Sequence, residues 1–263
     1  MEGFYLCCLY VMTGILGLCV GSFLNVVIYR VPNGMSLSSP PSHCPSCKNR
    51  IRAYDNIPVM SYLLLGGKCR SCKTHIPFRY TAVELANAVL WLLAVYMLWE
   101  KSILLACLAA ISLSVFLSIF FIDLEHMLIF DRFQLILLAV GIFFLFFDKD
   151  FGILSHLFGG VFGFGGFYLI ALLFEKLSGK EGLGGGDIKL AGVCGLMLGW
   201  ERLLLSLLVA TLPAAIVMTV ATRGKEGEER QFPFGPFLVT GFAISLLFGT
   251  EIIHFYLSLL GVG

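Results

Sequence analysis

The sequence predicts an all-α polytopic membrane protein of about eight transmembrane helices, with a small extramembrane domain between the first and second. Three observations predict it. Hydrophobic residues fill 58% of the 263 positions and charged residues only 13%, where a soluble domain carries roughly a quarter; the mean hydropathy is +0.91. Apolar runs long enough to span a bilayer, or nearly so, recur along the chain. Four of the nine cysteines gather in the one substantial polar segment. The net charge of +1 is spread by topology rather than gathered in a patch, so a lipid bilayer is the expected surrounding and nucleic acid is not an expected partner.

The apolar runs lie at about 5–29, 79–99, 102–122, 133–147, 151–174, 187–200, 202–222 and 236–260. The first follows Glu2 with no Lys or Arg ahead of it and is too long for a signal-peptide core, so it reads as a transmembrane helix that is retained. Its Gly14, Gly17 and Gly21 permit close helix packing. Gly159, Gly160, Gly163, Gly165 and Gly166 in the fifth run read the same way. The fourth and sixth runs are short, and short spans often border a site. All of the 18 basic residues except Lys101, Lys149 and Arg202 fall in segments 30–79, 123–132, 175–189 and 223–235. The positive-inside rule makes those segments cytoplasmic, turns both termini outward and requires an even number of helices. The expected division is a first transmembrane helix over 1–29, a cytoplasmic zinc-binding domain over 30–78 and a membrane core of about seven helices over 79–263. The charged stretch 223–230 reads as a solvated loop.

The polar segment contains His43-Cys44-Pro45-Ser46-Cys47 and, after 21 intervening residues, Cys69-Arg70-Ser71-Cys72. Two Cys-x-x-Cys pairs supply four thiolates for a tetrahedral zinc ion, with no open coordination position, so the metal is expected to be structural. Such an ion would hold together a domain too small to fold well on its own core. A reducing cytosol disfavours disulfides between the same residues. His43 and His75 are spare candidate ligands. Cys7, Cys8, Cys19, Cys107 and Cys194 lie in apolar runs and read as small hydrophobes.

Two carboxylates stand out. Asp123 closes the third apolar run, and Asp187 follows three glycines at the start of the sixth. Each has a plain structural reading: Asp123 and Asp131 as ordinary helix-end charges, Asp187 as the N-cap of the helix that follows. Both close on the same membrane face, however. Held near each other, two carboxylates cannot both ionise readily and share a proton. The ionised member can then activate water while the protonated one donates to a carbonyl oxygen. That is aspartyl-protease chemistry, which uses neither metal nor covalent nucleophile. Glu125, His126 and Lys189 lie near the acids in sequence and read as solvated or structural residues.

Several longer stretches occur in a fixed order: Gly21-Ser22-Phe23-Leu24-Asn25-Val26-Val27-Ile28-Tyr29-Arg30-Val31-Pro32, the four cysteines, Arg79-Tyr80 with Val83-Glu84-Leu85, Asp123-Leu124-Glu125-His126, Gly184-Gly185-Gly186-Asp187, and Pro233-Phe234-Gly235-Pro236-Phe237-Leu238. In these stretches the chain resembles the type IV prepilin peptidases, bifunctional leader peptidase/N-methyltransferases of bacterial inner membranes. The resemblance covers nearly the whole length. It departs at Phe130, where the family often has Pro before the aspartate aligned with Asp131. The resemblance implies that Asp123 and Asp187 are the catalytic acids of a protease core over 79–263, with Gly184 and Gly186 supporting the site. It implies type IV prepilins or pseudopilins of a pilus or secretion system as substrates. Their basic leader is cut after a Gly, and the new N-terminus is methylated from S-adenosylmethionine. The residues binding that cofactor stay unassigned, because no Gly-x-Gly-x-x-Gly follows a strand; Glu84, just inside the second span, is a candidate functional carboxylate.

Two other readings compete. A proton-coupled transporter would use Asp123 and Asp187 as a relay, and would show ion-dependent flux in liposomes. A non-enzymatic assembly platform would dock cytosolic partners on the zinc domain and tolerate Asn at both aspartates. The sequence leaves the oligomeric state and the resting separation of the two aspartates open.

Overall fold

A computed structural model describes residues 2–179, 182–222 and 232–261. Residue 180 and the stretch 223–230, which entered the orientation argument and the loop assignment, lie outside them. The described chain is helical with no named strand, and it divides into two compact units, Met1–Trp99 and Glu100–Gly263.

In the first unit, α1 (Glu2–Arg30) pairs with α3 (Arg79–Leu98). The glycines decide how closely. A Cβ at Gly17 would lie 2.8 Å from Ala88 Cα, and one at Gly21 2.7 Å from Glu84 Cα. The Asn87 amide uses this contact, donating to the Gly17 carbonyl at 2.8 Å. Without a hydrophobic effect between helices, such close backbone approach and interhelical hydrogen bonds hold the pair together. Between the two helices run a 3₁₀ turn (Ala53–Asn56), the short α2 (Met60–Leu64) and two cysteine turns. The buried Arg30 guanidinium gathers the chain leaving α1, donating to the carbonyls of Ser36, Leu37 and Pro40.

The second unit holds α4 (Ile103–His126), α5 (Asp131–Phe147), α6 (Ile153–Ser178), α7 (Gly185–Leu198), α8 (Trp200–Thr222) and α9 (Gly235–Leu259). α7 is the shortest, yet it packs against α5, α6, α8 and α9. Small residues allow this: a Cβ at Gly159 would sit 2.3 Å from the Gly195 carbonyl oxygen, and one at Gly163 2.3 Å from that of Ala191. Gly165 and Gly166 do not share that role, since a Cβ there meets nothing within 4 Å. Gly199 forms the whole joint between α7 and α8 with φ +81°, a conformation that L side chains resist.

α1, α3, α4, α6, α8 and α9 are long and apolar enough to cross a membrane. α5 and α7, with 17 and 14 residues, are the short fourth and sixth runs of the sequence reading. At 1.5 Å per residue α7 is about 21 Å long, less than a hydrocarbon core of about 30 Å. Large hydrophobics such as Leu154, Phe158 and Val161 are exposed along α6. The protein is an all-α, multi-pass membrane protein.

Candidate active site and metal site

The two aspartates sit at one end of the second unit, where α4 finishes and α5, α7 and α9 begin. α4 ends at Met127, whose φ of +54° turns the chain and whose N–H donates to the Asp123 carbonyl at 2.9 Å. The Asp123 side chain is buried and accepts at Oδ2 from the N–H of Gly235, 3.0 Å away. Gly235 is the first residue of α9, so its N–H has no partner within its own helix and is available to an anion. A Cβ at Gly235 would come within 2.6 Å of the same carboxylate oxygen; only glycine lets the backbone close on Asp123.

Asp187 is not the N-cap of α7. Gly184 is, and Asp187 stands three residues later, in the first helical turn. Its carboxylate folds back to the Gly184 amide, the acidic half of a capping box. A Cβ at Gly184 would lie 3.1 Å from Asp187 Oδ2, and one at Gly186 3.0 Å from Ile129 Cβ on the connection leaving α4. Asp187 also feels the charge of Asp123 directly. Its Oδ1 is buried and has no hydrogen-bond partner among the described residues. Neither aspartate has a Lys, Arg or His within ion-pair distance among the described residues. Lys189 reaches Asp131 instead, at 2.9 Å, in a largely exposed pair, and the Gln134 amide donates to the Gly186 carbonyl at 3.3 Å. These two contacts tie the start of α5 to the start of α7.

Sequence reasoning did not anticipate Gly235 as a donor, nor Gln134. The signal for Gly235 was present: a glycine opening a helix ahead of Pro236 leaves one accessible amide that carries no side chain.

In the first unit the four cysteines converge. Their sulfurs lie within 4.8 Å of one another, with Cys44 and Cys72 Sγ 3.8 Å apart, and the set could hold one metal ion. His43 and His75 do not belong to the cluster. The two turns are built alike. Cys44 N–H donates to Asn49 O and Lys48 N–H to Cys44 O; Cys69 N–H donates to Thr74 O and Lys73 N–H to Cys69 O. Lys48 and Lys73 both take positive φ, 60° and 61°, and isolated bridges join His43 to Arg50 and Lys68 to His75. The shared Cys-x-Ser-Cys-Lys at 44–48 and 69–73 was a legible repeat that the sequence reading passed over.

The thiols are electrostatically unequal. The Thr74 hydroxyl and amide pull Cys72 down to about 6. The Cys47 amide lowers Cys44. Cys47 itself is pushed up to about 11: the Asn49 amide acts in the lowering direction, but burial and the three neighbouring thiols outweigh it. Binding of a metal ion to all four sulfurs would release the protons that the thiols still hold.

A model of the bacterial peptidase A24 N-terminal domain matches residues 15–98, and a model of the type IV leader peptidase family matches residues 110–219. A Pseudomonas aeruginosa protein named prepilin leader peptidase/N-methyltransferase is 37% identical, across 95% of this chain and 93% of its own. The chain belongs to the type IV leader peptidase family. Proteins of the same name from Burkholderia pseudomallei and Neisseria gonorrhoeae are 37% and 38% identical, covering 94% and 89% of this chain and 87% and 88% of their own lengths. No solved structure matches. Both aspartates fall within the leader peptidase match, and all four cysteines fall within the N-terminal one.

Proposed function

We propose that this protein is a membrane aspartic endopeptidase that removes the leader of type IV prepilins or pseudopilins after Gly, then methylates the new N-terminus. Asp123 and Asp187 are its acids, acting at the cytoplasmic face of a bacterial inner membrane. One observation carries the peptidase reading: two carboxylates lie at one helix junction near enough for Asp123 to act on Asp187, and among the described residues neither has a cation within ion-pair distance and Asp187 Oδ1 has no hydrogen-bond partner. Burying uncompensated carboxylates is costly, and that cost is retained where chemistry needs them.

The pair shares one proton. The Gly235 amide holds the Asp123 carboxylate in place at Oδ2, and Asp123 takes the proton from the attacking water. Asp187, protonated, donates through its unpartnered carboxyl to the scissile carbonyl oxygen. The tetrahedral diol that forms breaks its C–N bond, and a proton returns to the leaving amine. A Cβ at Gly184 would crowd Asp187 Oδ2 and one at Gly186 would crowd Ile129, so the two glycines support the site by letting the start of α7 close on its neighbours.

The four cysteines would hold zinc. At a Zn–S distance of about 2.3 Å, a tetrahedral set places its sulfurs about 3.8 Å apart, in line with the spacing of Cys44 and Cys72. The metal would cross-link the two turns without a reactive position. S-adenosylmethionine would supply an electrophilic methyl group to the freed amine.

The test is mass spectrometry of a prepilin incubated with purified protein and S-adenosylmethionine, beside the Asp187→Asn variant. Loss of the leader with one added methyl, absent from the variant, is the expected result. Intact prepilin with a folded, zinc-loaded protein overturns the peptidase reading and favours the transporter.

A further inference from the structure

The short α2 presents an apolar face. Met60, Leu63 and Leu64, spaced i, i+3 and i+4, share one side of the helix and are 53%, 66% and 79% exposed, whereas Ser61, off that side, is buried. Phe78, just ahead of α3, extends the surface: it is 60% exposed and meets the Tyr62 ring edge-on, 6.1 Å between centroids. Large apolar side chains exposed together mark an interaction surface.

The depth of this face follows from its attachment to α3. The Val59 N–H, just ahead of α2, donates to Glu84 Oε2 at 2.7 Å. Val59 holds φ +62°, which a β-branched residue adopts only under constraint. Glu84 lies about 7.5 Å along the axis of α3 from its first residue, Arg79, at 1.5 Å per residue. With 20 residues α3 is about 30 Å long, the thickness of a hydrocarbon core, so Arg79 stands at the edge of that core. α2 is therefore tied beside the first turns of a spanning helix, within the roughly 5–10 Å to which interfacial helices sink. The chain around it is basic. Lys48, Arg50, Arg52, Lys68, Arg70 and Lys73 are exposed, and the one acid between Arg30 and Arg79, Asp55, is paired with Arg70 at 2.6 Å.

We propose that Met60, Leu63, Leu64 and Phe78 insert into the boundary between headgroups and acyl chains, and that the surrounding bases gather anionic lipids there. α2 is then an anchor that holds the cysteine turns on the membrane surface. The connection is short: the Gly67 N–H donates to Tyr62 O at 2.9 Å, and Cys69 follows two residues later. A free phosphate ion would meet the bases but leave the apolar face uncovered. A protein partner would have to reach α2 beside a spanning helix, where lipid already lies.

The full-length protein, with a photoreactive benzophenone amino acid in place of Leu64 or of Met60, tests this in nanodiscs of phosphatidylcholine with about a quarter phosphatidylglycerol. Both side chains are exposed, so the replacements leave the packing of the unit in place. On illumination both positions should cross-link to phospholipid, read as added mass on the peptide that holds them. Phosphatidylglycerol should be enriched among the adducts by about twofold or more over its share of the bilayer. Salt at about 0.5 M should remove the enrichment and leave the lipid adducts. A cross-link to residues 100–263 or to a second copy, or no lipid adduct at either position, overturns the anchor. Adducts that merely follow the bilayer composition overturn the gathering of anionic lipids.

Discussion

The two ends of the second unit handle buried carboxylates in opposite ways. At the end where α5 and α7 finish, Asp148 is paired with the buried Arg202. That guanidinium also donates to the Leu198 carbonyl at 2.7 Å and lies over the Phe151 ring, 4.8 Å from its centroid. His156 is fully buried close by, its Nδ1 3.1 Å from the Leu196 carbonyl and its Nε2 3.7 Å from Asp148. Ser155 bonds Glu201. At the end where α5 and α7 begin, Asp123 and Asp187 have backbone amides and, among the described residues, no cation within ion-pair distance. A carboxylate placed for architecture is neutralised, because an unpaired buried charge costs several kcal/mol. One kept for proton transfer must stay able to exchange its proton, which a guanidinium beside it would prevent. The contrast sets an ion-paired fastening against the pair proposed as the acids within one helical bundle.

Exchanging the chemistry of the two ends should expose the difference. The largest effect is expected at the acids. Asp123→Asn or Asp187→Asn should each reduce prepilin cleavage by about 10³-fold or more, with the thermal transition unchanged or raised. Measurable turnover near wild type in either variant would sink the shared-proton mechanism. At the fastened end, Arg202→Met should instead destabilise the protein by about 3 kcal/mol, because Asp148 stays buried with the Asp150 amide and His156 but without its guanidinium. Denaturant unfolding of the purified protein measures this, and Asp148→Asn added to it should restore part of the loss.

A smaller effect tests the Gly235 contact. Gly235→Ala would push a methyl group into Asp123, and cleavage should fall by about 10–10²-fold with little change in expression. Gly185→Ala, where a Cβ meets nothing within 4 Å, is the control and should cleave at near the wild-type rate. The smallest effect on cleavage should come from the other unit. Stripping zinc with a strong chelator should lower the thermal stability of the cysteine turns while the Asp123–Asp187 chemistry proceeds. A collapse of cleavage with the second unit still folded would tie the metal to the peptidase.

Much of this was legible in the chain because it follows from composition and local spacing. Hydropathy and run length marked eight of the helices, of which six have the length a bilayer imposes on a span and α5 and α7 are the two short ones. Two Cys-x-x-Cys pairs announced a four-sulfur cluster because each turn is local. Gly17, Gly21, Gly159 and Gly163 announced close packing because only a missing side chain permits it. The sequence also singled out Asp123 and Asp187 as costly in an apolar chain. What it could not supply were the partners. Asp187 was legible as an N-cap, yet Gly184 takes that position and the acid stands in the first turn, so close that a Cβ at Gly184 would lie 3.1 Å from its Oδ2. That Asp123 accepts from Gly235, 112 residues away, and that Arg202 covers Asp148 were decided only when helices distant in sequence packed together. Hydrogen bonds and ion pairs act over a few ångströms, and tertiary packing alone sets those distances.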